Sequence, residues 1–231
     1  MITPTIYDWP SQIQFQDAAF FAGGQGTEGG MTTGGILVGH PEPGGRSAMQ
    51  VTFKTAGPCV VAMDSWVMSK MRPQTVFRVA VHRSRQLVDF ADLGLTVPSG
   101  YDGVGIPWEG DLYWSNDMGW AYDPAAIAGA IGAEGSTTLV IDMTGYDHGL
   151  SHGHVIGVGD RAYLVDDITY DGDTATVTVT PPLRDAVAVG DFITFRPKML
   201  ATVQDPESFR SMFRHRKYLQ PGSITFVEAL I

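Results

Sequence analysis

The chain has 231 residues, 44% of them hydrophobic and only 17% charged, with a formal net charge of −10. That length holds one large β domain or two small ones, and the apolar share is ample for a core. The acidic balance excludes a broad phosphate-binding surface, which needs clustered Lys and Arg, and the lone Cys59 excludes an intrachain disulfide.

No run of about 18 apolar residues exists, so no transmembrane helix is expected. The start, MITPTIYDWP, has no basic n-region and no apolar h-region, so no secretion signal is expected. A charged share below the usual level of about 25%, with 28 glycines, suits a subunit covered by its neighbours. It suits a monomer with many Gly-rich loops equally well. The basic cluster Arg210, Arg214, His215, Arg216 and Lys217 reads as a solvated or ion-paired face, because the rest of the chain is acidic.

In chain order, residues 13–16 alternate as a strand. Residues 23–35, GGQGTEGGMTTGG, read as a flexible loop, and residues 36–38 as a short strand. Residues 48–55 alternate, with Met49, Val51 and Phe53 on one face. Val60, Met63, Val67 and Met71 recur at helical spacing after Pro58, so residues 58–71 read as the main helix, with a strand left open. Residues 76–82 form a strand with Phe77, Val79 and Val81 on one face. Residues 98–135, rich in Gly, Trp, Tyr and Asp, read as a loop-rich insertion. A strand at 137–143 leads to a β-meander over 158–197. There a turn at Asp171-Gly172 joins two alternating runs, Val177 and Val179 share a face, and Pro181-Pro182 ends the ladder. A last strand over 224–227 is tied into a sheet. The expected fold is mainly β: an antiparallel β-sandwich or barrel domain with one flanking helix, plus a smaller C-terminal β-meander module. The expected division is 1–97, then 98–135, then 136–231 with the final strand returning to the core.

Four motifs carry chemical readings. Residues 24–29 spell G-x-G-x-x-G, but a dinucleotide site needs a helix directly after it, and the glycines after Gly29 cannot sustain one. Residues 149–153, GLSHG, spell the nucleophile elbow around Ser151; residues 154–158, HVIGV, look like a strand where the elbow needs a helix. His148, His152 and His154 are candidate metal ligands, since two His residues two apart on a strand share a face. With no fourth ligand at a diagnostic spacing, a polar Gly-His loop is the stronger reading. The acidic run Asp160, Asp166, Asp167, Asp171 and Asp173 includes Asp171-Gly172-Asp173 but lacks the rest of a calcium loop's pattern, and a hairpin turn with solvated carboxylates is the stronger reading. Trp108, Tyr113, Trp114 and Trp120 are candidate interface or glycan-stacking residues. No catalytic residue and no cofactor is assigned.

Several segments taken together carry a resemblance: DWP at 8–10, PGGR at 43–46, VGDRAYLV at 158–165, PPLR at 181–184, VGD at 189–191 and FVEAL at 226–230. In their order and spacing the chain resembles distal-tail-type minor tail proteins of long-tailed bacteriophages and phage-like gene transfer particles. The resemblance runs from about residue 9 to 230. It implies a β-rich domain with a flanking helix and a second small β module. It also implies a homo-oligomeric ring, a hexamer, in the virion tail tip, whose partners are the tail tube protein, the hub or baseplate proteins and the tape-measure protein. The protein is then structural rather than an enzyme, with no specific nucleic-acid binding and no membrane insertion. The alternatives are a carbohydrate- or receptor-binding β module of the tail tip and a hydrolase built on Ser151.

Overall fold

The computed structural model describes residues 4–10, 15–23, 27–31, 37–40, 45–53, 68–70, 75–81, 86–96, 123–206 and 223–231. These residues are mainly β, in two principal units. The first is a six-stranded sheet. Its strands are β1 (Ile6–Asp8), β2 (Phe15–Phe21), β5 (Ala48–Phe53), β6 (Val76–Ala80), β13 (Lys198–Val203) and β14 (Ser223–Glu228), in the order β1-β6-β13-β14-β5-β2. Only the β1–β6 pair is parallel. The second unit is a closed barrel. It contains β7 (Ala125–Ala128), β8 (Thr138–Asp142), β9 (Val155–Val158), β10 (Arg161–Asp171), β11 (Thr174–Thr180) and β12 (Phe192–Thr194), in the order β10-β11-β8-β7-β12-β9. A two-stranded ladder of β3 (Thr27–Met31) and β4 (Leu37–His40) stands apart.

Alternation explains most of these strands. On β11 Ala175, Val177 and Val179 are buried while Thr174, Thr176 and Thr178 face water, the period-2 pattern of a half-buried strand. Gly172 takes a positive φ of 57° in the tight connection that sets Asp171 opposite Thr174. In the sheet, Phe77 and Val79 share a core with Met49, Val51, Met199 and Phe226.

β9 and β10 do not alternate, because both of their faces are covered. Ile156, Tyr163 and Val165 belong to the barrel interior, whereas the intervening Val155 and Ala162 join the core of the sheet. One wall of the barrel thus packs outward onto the sheet. A strand buried on both sides reads as a continuous apolar run.

Three expectations change. Helical geometry among the described residues is confined to Met68–Lys70 (α1), so a flanking helix over 58–71 is not supported; residues 58–67 and 71 lie outside the described residues. The second unit is not a C-terminal module. The barrel is inserted between β6 and β13, and the chain then returns to the sheet it left. The Gly-rich stretch 23–35 is not all loop, since β3 lies within it and pairs with β4 just beyond it. Ladder bonds use backbone groups that glycine also carries, so composition alone misled there. The 98–135 stretch contains β7, whose short AAIA run has no polar alternation to mark it.

Candidate functional site

Four of the six segments that carried the resemblance converge where the barrel meets the sheet. Glu228, near the end of β14, is 2% exposed. Arg184 Nε and Nη2 donate to its two carboxylate oxygens at 3.1 and 2.9 Å, and the Ser47 N–H donates to it at 3.1 Å. Arg184 Nη2 also donates to the Gly45 carbonyl at 2.8 Å, and the Arg184 N–H to Tyr163 Oη at 3.0 Å. Arg161, 8% exposed, donates from Nη1 to the Ala229 carbonyl at 2.7 Å and lies 3.8 Å from Glu228. PGGR, VGDRAYLV, PPLR and FVEAL thus each place a group in one cluster. A buried carboxylate persists only when paired and fully hydrogen-bonded, and this one is. Burial also pushes the Tyr163 hydroxyl up from its ordinary value. The cluster is a weld between two β units.

A second, more exposed bridge lies nearby. Arg78 on β6 donates Nη1 to Asp8 at 2.6 Å, and Nε and Nη2 to Asp160 at 2.7 and 2.8 Å. Asp160 first, then Asp8, hold the guanidinium even more firmly charged than usual. These residues line a cavity of about 410 Å³ between sheet and barrel, together with Asp123, Thr194, Arg196 and Lys198. Thr194 donates to Asp123 at 2.7 Å, and the Arg196 guanidinium lies 3.7 Å over the Phe90 ring. The lining holds three cations and three carboxylates, of which Arg78, Asp8 and Asp160 engage one another.

The GLSHG segment is a loop above the barrel, and it leads into β9 rather than into a helix. Its glycines have structural reasons. A Cβ on Gly149 would stand 2.2 Å from the Asp92 carbonyl oxygen, and Gly153 has a φ of +84°. His154 Nδ1 accepts the Ser151 N–H at 3.0 Å, with Ser151 Oγ at 3.4 Å. Half-burial lowers the His154 pKa, against the opposing pull of Asp92. His148 stacks on Tyr170 at 4.2 Å, and His152 lies 3.0 Å from the Asp166 carbonyl. The three His side chains are thus engaged separately. Among the described residues no group of three His, Cys, Asp or Glu side chains is placed to hold a metal ion. Trp108, Tyr113, Trp114 and Trp120 lie outside the described residues. Among the described residues no helix is long and apolar enough to cross a membrane.

Sequence reasoning missed one surface. Phe192 and Ile127 are direct cross-strand partners on the outer wall of the barrel, and both are exposed, as are Ile131 and Val189 beside them. Nothing in the sequence marked it, because the AAIA run of β7 has no polar alternation to show which of its positions face outward. No protein-family model and no curated protein sequence matches this chain.

Proposed function

We propose that this protein is a structural subunit of a phage or phage-like tail tip, of the distal-tail type, that transforms no substrate. Copies assemble as a hexameric ring that joins the tail tube to the hub or baseplate, with the tape-measure protein as a further neighbour. The sheet and the β9–β10 wall laid on it are read as the two layers of a sandwich, and the remainder of the barrel as the second module. The observation that carries the reading is the convergence of PGGR, VGDRAYLV, PPLR and FVEAL on Glu228. Segments far apart in the chain hold two β units in a set relation, a requirement of a subunit whose product is shape. The acidic balance of −10 also suits a lumen through which nucleic acid passes without sticking.

The test is electron microscopy of the purified full-length protein at high concentration. Rings of uniform diameter are expected. A lone particle at every concentration, with measurable turnover of a substrate, overturns the reading.

A further inference from the structure

We propose that the outer wall made by β7 and β12 is the surface through which one copy of this chain meets the next, in a head-to-tail contact. The inference rests on the ring reading and names the surface the ring would use.

A barrel wall facing water should be apolar inward and polar outward. β11 obeys this with its outward threonines. β7 and β12 do not. Ile127 and Phe192, paired directly across the two strands, are 39% and 73% exposed. Ile131 and Val189 are 78% and 61% exposed. The Gly132–Val187 bridge and the Gly190 N–H to Ala128 carbonyl bond bring the segments carrying them alongside. Four large exposed apolar side chains therefore stand on adjoining segments of one wall, here called the strip. Their exposed surface is on the order of 400 Å². A stable interface covers about 800 Å² on each partner, of which roughly 56–58% is apolar. The strip supplies most of that apolar share for one face.

The charge of the barrel segment that carries the strip, and of the two carboxylates placed next to the strip, decides between occupants. Residues 123–197 hold eleven carboxylates against three arginines, a net −8 of the chain's −10. Arg161 and Arg184 are engaged in the buried weld and Arg196 lies over Phe90. Asp142 lies directly across from Ile127, and Asp191 precedes Phe192 in the chain. Thr144 donates twice to Asp142 and keeps its carboxyl below the usual range, so that charge is permanent near neutrality. A two-fold contact would face this acidic wall with a copy of itself. The rest of the chain is nearly balanced, with fourteen carboxylates against twelve Lys and Arg, and includes Arg210, Arg214, Arg216 and Lys217. A second copy offering a different, less acidic face meets this wall without that repulsion. Such a heterologous contact closes into a ring when its rotation closes.

The test is sedimentation velocity of the full-length protein over a concentration series, with Phe192→Asp and Ile131→Glu. Both positions are exposed, so the variants should melt with the wild type. Each should weaken self-association by at least about tenfold. Fluorescently labelled F192D should still co-sediment with wild type, since its other face is intact. If wild type associates and both variants associate equally well, the proposed surface is wrong and the ring reading survives. If F192D is monomeric and cannot join wild type, the contact is two-fold, which overturns the head-to-tail geometry. If wild type is monomeric throughout, the ring reading fails and this inference with it.

Discussion

Arg184 and Glu228, 44 residues apart, face each other through two bonds of 3.1 and 2.9 Å, in surroundings where the carboxylate is 2% exposed. The pair ties the segment after β11 of the barrel to the last strand of the sheet. Removing one partner strands a buried charge, whereas exchanging both for apolar groups of similar volume does not.

Glu228→Ala should therefore destabilise the fold by about 3–5 kcal/mol, because Arg184 and Arg161 both lose their carboxylate. The double variant Arg184→Met, Glu228→Leu should recover a substantial part of that loss. Urea unfolding of the two variants checks the claim; equal losses would show that the cost does not come from a stranded Arg184 charge.

Gly149 and Ser151 separate a packing motif from a catalytic one. Gly149→Ala places a Cβ against the Asp92 carbonyl and should cost on the order of 3 kcal/mol or unfold the loop. Ser151→Ala removes an exposed hydroxyl and should change stability by less than about 0.5 kcal/mol. It should also leave ring formation unchanged. Thermal melts and electron microscopy of both variants read this directly. Labelling of Ser151 by a serine-directed phosphonate would contradict the proposed function.

His154 makes the loop above the barrel sensitive to acid. Burial lowers its folded pKa below the unfolded value of about 6.5. The unfolded chain therefore binds the proton more tightly. The stability that depends on neutral His154 is complete above pH 6.5 and declines as pH falls from there through the folded value. Protonation also removes Nδ1 as the acceptor of the Ser151 N–H. The melting temperature should fall between pH 7 and pH 5 more in wild type than in His154→Gln. Parallel pH profiles would refute the assignment.

Gln86 caps an edge of the sheet. Its side-chain amide donates to the Phe20 carbonyl at 2.9 Å and accepts the Phe20 N–H at 2.8 Å, so it acts as one residue of a further strand. Its own carbonyl accepts the Val155 N–H from β9. Gln86→Ala should cost about 1–3 kcal/mol through the two unmet backbone groups. It should also raise aggregation by opening the edge of β2. Urea unfolding and light scattering would show both effects; a variant as stable and soluble as wild type would rule out the cap.

Much of the β character was legible from residues 48–53, 76–80 and 174–180, because period-2 alternation is a local property of each strand. The turn at Asp171-Gly172 was legible for the same reason, since it rests on the chemistry of neighbouring residues. β9 was legible as an apolar strand-like run, whereas β7 offered no alternation to read and β3 was hidden by glycine. Segments such as PPLR and FVEAL stood out as letters without a stated role.

By itself the sequence determined where strands alternate, where glycine and proline stop them, and that net charge would oppose phosphate binding. Only the tertiary structure decided that the barrel interrupts the sheet, that Arg161, Arg184 and Glu228 meet, and which apolar residues remain outside. Alternation is written between adjacent residues, whereas burial and ion pairing depend on partners brought together across the whole length of the chain.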